Sequence, residues 1–156
     1  MARRNALTSV CVDSSVLTAR LIGDQPEHAD GIAALFHEAE TGAVKLFGST
    51  WLLAEVYGQS STAPRNEELD ARIMAVLDNP EVITLIQASV EVGKIARELR
   101  RGLVKGTADA VHLASAIAAR ADHFMTTDYR LPIGQTVHGV LVGYPGSTTG
   151  QGVLSG

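Results

Sequence analysis

Four acids in this chain stand where chemistry could use them: Asp13, Glu55, Asp109 and Asp128. Asp13 ends the β-rich run LTSVCV and opens the polar turn Asp13-Ser14-Ser15. Glu55 is the lone charge in WLLAEVY. At helical spacing it shares a face with Trp51 and Leu52, a costly place for a charge unless a cation or hydrogen-bond partner meets it. Asp109 opens an alanine-rich stretch after Gly106, and Asp128 closes the short apolar run that begins at His123. Carboxylates bring oxygen ligands, which suit magnesium or manganese rather than zinc. A magnesium ion usually takes one or two carboxylates and leaves the rest of its shell to water and substrate phosphates, so such a pocket could seat one or two ions beside a phosphodiester. Without an ion the acids repel one another, and at least one should hold its proton more tightly.

Strands alternating with helices must position them. Residues 7–12 read as a first buried strand, 44–47 as a second, 82–86 as a third, 123–126 as a fourth and 137–142 as a fifth weakened by Gly139. Between them, 16–22 reads as a short helical turn. Asp24 is offered as the cap of a helix with Ile32, Leu35, Phe36 and Ala39 on its core side, and Ser49 or Thr50 as the cap of a helix over 51–57. Leu69, Ile73, Val76 and Leu77 stripe the next helix before Asn79-Pro80 stops it. Residues 90–104 read as a two-faced helix, with Val92, Ile95, Leu99 and Leu103 inward and Lys94, Arg97, Arg101 and Lys105 as a basic stripe. In the helix that Asp109 opens, Ala110, Ala114, Ala118 and Ala121 permit close approach to a sheet. Such a chain builds a parallel sheet with helices on both faces, whose ligands bind beyond the carboxyl ends of the strands where strand order reverses. If strands one and four are neighbours, Asp13 and Asp128 face each other there.

With 156 residues, one domain over 1–142 is the simplest organisation, followed by a Gly/Ser/Thr-rich tail over 143–156 read as mobile. That tail carries neither the lysine of a phosphate-binding loop nor a G-x-S-x-G elbow. The single cysteine, Cys11, excludes disulfides within the chain and reads as a core residue. No signal-peptide core and no membrane-length apolar run is present, so a cytoplasmic protein is expected. A net charge of −4 argues against coating nucleic acid by charge alone.

The blocks VCVDSSVL, WLLAEVYG and GTADAVHLASAIAARADHFMTTD, in this order, closely resemble the PIN-domain nucleases, in particular the small VapC-type toxins of bacterial toxin–antitoxin pairs. The resemblance covers roughly residues 10–131 and implies a three-layer α/β/α fold with a five-stranded parallel sheet in the order 3-2-1-4-5. It implies magnesium- or manganese-dependent endoribonuclease activity, with Asp13, Glu55, Asp109 and Asp128 as the family's four acids. Ser15 matches a frequent hydroxyl or amide near the metal, and Thr126 the threonine of a T-x-D motif. Members commonly form homodimers silenced by a cognate antitoxin. The long glycine-rich tail and the acidic balance depart from the pattern.

Ordinary readings stand beside these. Asp13 and Asp128 could be turn residues, Asp109 an acid favoured by a helix dipole, and Glu55 a rim residue packed on Trp51. The basic stripe, a possible RNA contact, also pairs with Glu91 and Glu98. His112 could reach the pocket but reads as a packing or surface histidine, and Trp51 and Tyr57 read as core. Three functional alternatives remain: a housekeeping RNA-processing nuclease, a non-catalytic RNA- or protein-binding module, and a haloacid-dehalogenase-type phosphatase, which would need a second acid where Ser15 stands.

Overall fold

The computed structural model describes residues 7–57 and 64–148. Strand β1 (Thr8–Val12) lies at the middle of the sheet, with β2 (Val44–Ser49) and β3 (Thr84–Ile86) on one side and β4 (His123–Met125) on the other. These four are mutually parallel. The expected neighbours, strands one and four, are hydrogen-bonded, with Val12 opposite Met125.

Beyond β4 the expected parallel order continues with a fifth parallel strand, and a short antiparallel strand is added at the edge. The expected fifth strand divides into β5 (Thr136–Val137) and β6 (Val140–Gly143), an antiparallel hairpin in the order β3-β2-β1-β4-β6-β5. His138 and Gly139 join them, both at positive φ (47° and 84°). That is the geometry of a tight hairpin turn whose twist matches the flanking strands, so Gly139 turns the chain where it was expected only to weaken a strand.

Side-chain alternation divides the core in two. Val10 and Val12 of β1 pack with α1 (Ser14–Ile22), α2 (Ala29–Glu40) and α4 (Glu67–Leu77), which contribute Leu17, Leu35, Phe36, Ile73 and Leu77. Cys11 and Phe124 point the other way, onto α5 (Val90–Leu99) and α6 (Thr107–Ala118), where Val92, Leu99, Ala110, Leu113 and Ala114 meet them. The result is a three-layer α/β/α arrangement. Small residues at Ala110 and Ala114, both fully buried, let α6 lie directly on the sheet.

Several local expectations change. Asp24 does not cap α2: a 3-10 turn over Pro26–His28 intervenes, and α2 begins without a side-chain cap. The helix expected over 51–57 shrinks to α3 (Leu52–Glu55), leaving Trp51 and Tyr57 exposed rather than in the core. Gly48 permits this tight turn, because a Cβ there would collide with the Leu52 side chain. α5 stops at Leu99, so Leu103 is partly exposed and Val104 takes the buried place. Lys94 and Arg97 stay exposed on α5, while Arg101 and Lys105 lie beyond its end.

The first residues of the expected tail are docked. Ser147 Oγ donates to Glu38 Oε1 at 2.6 Å, and Thr148 donates to Oε2 through its amide at 3.0 Å and its hydroxyl at 3.1 Å. Gly31 makes room, since a Cβ there would fall on the Pro145 carbonyl. Residues 149–156 lie outside the described residues. Among the described residues, no helix is long and apolar enough to cross a membrane.

Candidate active site

Strand β1 delivers Asp13 just past its carboxyl end, where the residue becomes the N-cap of α1 by accepting from the Ser15 amide at 3.1 Å. Asp13 is only 2% exposed, yet its carboxylate is fully engaged. The Ser15 hydroxyl donates to Oδ1, and Thr126 Oγ1 donates to Oδ2 at 2.6 Å. Thr126 Oγ1 accepts in turn from the Asp128 amide, and Ser15 Oγ from the Thr127 amide. Two hydroxyls therefore stitch the start of α1 to the end of β4. Burial pushes the Asp13 carboxyl up, against the Ser15 and Thr126 hydrogen bonds that favour its ionised form.

Glu55 ends α3. His112 Nε2, from α6, lies 2.6 Å from Oε1, and Ser14 Oγ donates to Oε2 at 3.0 Å. Burial opposes its charge, but the His112 contact and the Ser14 hydroxyl outweigh burial and hold the carboxyl below its ordinary value. The partner that the lone-charge argument required is thus an imidazole. His112 itself is buried, not a surface residue, and more than a packing one.

Asp109, in the first turn of α6, behaves differently. It is half-buried and no hydrogen bond to its carboxylate is found among the described residues. Burial and the neighbouring Asp128 charge raise its pKa, with Glu55 adding to the effect and Arg130 and His112 opposing it. Asp128 is gripped by Arg130, whose Nε and guanidinium nitrogen reach its oxygens at 2.9 and 2.7 Å. That contact holds the Asp128 carboxyl low.

The four acids therefore share one electrostatic neighbourhood: Asp109 feels Asp128 and Glu55, and Asp13 feels Asp109. Their donor chemistry, all carboxylate oxygen, fits a hard divalent cation. Among the described residues, however, no group of three or more Asp, Glu, His or Cys side chains is gathered as a metal shell. An ion here would need water or phosphate oxygens to complete its coordination, the usual habit of magnesium. The groove of about 380 Å³ between α1, α2 and α4, lined by Leu17, Phe36 and Val76 with Arg20, Glu40 and Arg72, contains none of these acids.

Sequence reasoning missed Ser14 and Arg130, and undervalued His112. The spacing of His112 three residues after Asp109 on one helix face was the available signal. The basic residues Lys94, Arg97 and Lys105 form no ion pair with the acids among the described residues, and Arg101 pairs with Glu98 at 3.7 Å.

The acids lie beyond the carboxyl ends of this sheet's strands, and the PIN domain family matches residues 10–133. The chain belongs to the PIN-domain family. Its fold resembles that of VapBC2 from Rickettsia felis, solved bound to a promoter DNA fragment, with 18% identity and a TM-score of 0.62 over 88% of this chain and 98% of that one. It also resembles VapC20 of Mycobacterium tuberculosis, described as a sarcin–ricin-loop-cleaving toxin, with 15% identity and a TM-score of 0.57 over 77% of this chain and 90% of that one. No protein of curated function matches the chain significantly.

Proposed function

We propose that this chain is a divalent-metal-dependent endoribonuclease, the toxin of a toxin–antitoxin pair, that hydrolyses phosphodiester bonds in structured RNA at an unpaired loop. The observation that carries the reading is the set of hydrogen bonds that joins the segments bearing the four carboxylates in a PIN-family fold, Ser14 to Glu55, Glu55 to His112 and Thr126 to Asp13. Asp13, Glu55, Asp109 and Asp128 would hold magnesium or manganese, which when bound supplies Lewis-acid stabilisation of the phosphate and a more acidic water. Ser15 and Thr126 hold the Asp13 carboxyl in place and favour its ionised form against burial. Asp109, half-buried and with no hydrogen bond to its carboxylate among the described residues, keeps its oxygens open to a cation or its bound water. Arg130 offsets the Asp128 charge that would otherwise repel an incoming phosphate. Exposed Lys94, Arg97, Arg101 and Lys105 offer phosphate contacts further out. A homodimer and a cognate antitoxin complete the proposal, by likeness to the VapBC proteins.

Cleavage of structured RNA with magnesium or manganese, against a chelator control, tests this reading. Products with 5′-phosphate and 3′-hydroxyl ends are expected from wild type, and none from pure Asp13→Asn or Asp109→Asn. Full cleavage by either folded variant would refute the assigned site. A second reading draws on the Arg130 clamp over Asp128 and on the lack of a three-ligand group among the described residues. It is a non-catalytic module that binds RNA or protein, and chelator-resistant binding without cleavage would mark it. Cleavage that serves routine RNA processing rather than toxicity would instead leave cell growth intact on expression.

A further inference from the structure

Of the four acids, Glu55 is the one its own backbone anchors least. It is the last residue of a four-residue helix that starts without a side-chain cap. One turn of helix is barely stable by itself and cannot hold a long side chain in one orientation. The fixing comes from two other elements. Ser14 Oγ, at the start of α1, holds Oε2, and His112 Nε2, in the middle of the 12-residue α6, holds Oε1.

Packing does not account for an imidazole at position 112. The side chain is 1% exposed, and its Nδ1 is buried with no hydrogen-bond partner among the described residues. A buried unpaired nitrogen is a cost that an apolar side chain of similar volume would avoid. What the imidazole provides in return is the bond from Nε2, which must carry the hydrogen because the ionised carboxylate can only accept.

We infer that His112 is a positioning residue: from the rigid α6 it locks the Glu55 carboxylate, together with the Ser14 hydroxyl, into the one orientation in which Glu55 faces a cation. This inference rests on the metal-site reading above. His112 touches neither cation nor RNA and acts only through Glu55. It also links the second and third acids, since His112 and Asp109 sit three residues apart on the same helix.

Manganese binding to the full chain, counted by the EPR signal of free Mn²⁺ without RNA, tests it. Orienting partners of metal ligands typically contribute about 10–100-fold in affinity. His112→Leu, which fills the space without a donor, should weaken Mn²⁺ binding by that factor. His112→Gln, whose amide nitrogen can take the place of Nε2, should recover most of it, whereas His112→Asn, whose amide stops short, should not. In RNA cleavage the same order should appear in kcat with KM little changed. Ser14→Ala, outside the core, should weaken Mn²⁺ binding severalfold and serves if the His112 variants fail to fold. Wild-type Mn²⁺ affinity in His112→Leu, or in Ser14→Ala, while Asp13→Asn loses the ion, would overturn the inference and leave the site standing. If wild type binds no Mn²⁺, the metal-site reading has failed and the inference falls with it.

Discussion

Replacing Thr126 by valine removes one oxygen and almost no volume, so its effect isolates the hydroxyl. Thr126 is fully buried, donates to Asp13 Oδ2 at 2.6 Å and accepts from the Asp128 amide at 3.0 Å. Where Asp13 is ionised, losing the first bond costs about 1.5–3 kcal/mol, and losing the second leaves a part-buried amide unpaired, for about 1 kcal/mol more. The sum is about 2.5–4 kcal/mol. For a domain of this size each kcal/mol moves Tm by about 2–4 °C, so a fall of roughly 5–15 °C is expected. The cost should also depend on pH. Thr126 favours ionised Asp13, whose folded-state carboxyl is already raised by burial, and the variant raises it further. The variant therefore loses most above the folded pKa of Asp13 and least in acid, where a protonated Asp13 needs the hydroxyl less. Urea unfolding of wild type, Thr126→Val and Thr126→Ser across pH 5–8, with chelator present, measures this; serine should restore most of the loss. A valine variant that stays within about 0.5 kcal/mol of wild type at every pH would refute the argument that this hydroxyl supports the Asp13 carboxyl.

Three further outcomes follow from two other charges, Asp109 and Glu38. Asp109 is held protonated longer in the folded chain than in the unfolded one, so it contributes a stability loss that begins as pH rises through its ordinary value of 3.8 and is complete above the raised folded value. Asp109→Asn in chelator should flatten that fall and leave the neutral-pH protein unchanged or up to about 0.5–1 kcal/mol more stable, discounted for exposure; a steeper pH dependence in urea unfolding would contradict it. The same variant should lose the stabilisation that saturating Mn²⁺ gives wild type, about 2.7 kcal/mol at a hundredfold excess over Kd. Glu38→Ala should cost about 2–4 kcal/mol by releasing the charge-assisted bonds from Ser147 and Thr148, with Glu38→Gln intermediate. Faster proteolytic clipping after Tyr144 in the alanine variant would show the segment freed, and an unchanged clipping rate would count against the tether.

The parts of this fold that rest on local pattern were legible. An apolar run stopped by Asp13, an alanine-rich helix opened by Asp109 and a short strand before Asp128 follow from residue spacing. Their meeting follows from the handedness of parallel crossovers. What escaped was decided by partners distant in sequence. His112 and Glu55 are 57 residues apart, so this part-buried carboxylate–imidazole contact leaves no periodic trace in either segment. The docking of Ser147 and Thr148 on Glu38 is equally non-local, and composition alone made those residues look mobile. Other misses were local but ambiguous. A β-rich run with Gly139 inside it reads as one weak strand unless His138 is expected in a left-handed conformation, which few side chains adopt. The face of α5 keeps its period past Leu99, yet the chain turns there and buries Val104 instead of Leu103.

The two ends of the sheet carry a consequence for assembly. One margin is β3, three residues long, and the other is β5, two residues long and folded back antiparallel on β6. Such short margins offer few unpaired amides and carbonyls to a neighbouring strand, which protects the chain against open-ended stacking into fibrils. They also leave little for two copies to share by extending one sheet into the next. Among the described residues, helix faces and loops offer far more surface for a neighbouring copy than these margins do, and there side-chain shape and charge, rather than repetitive backbone ladders, decide which surfaces fit.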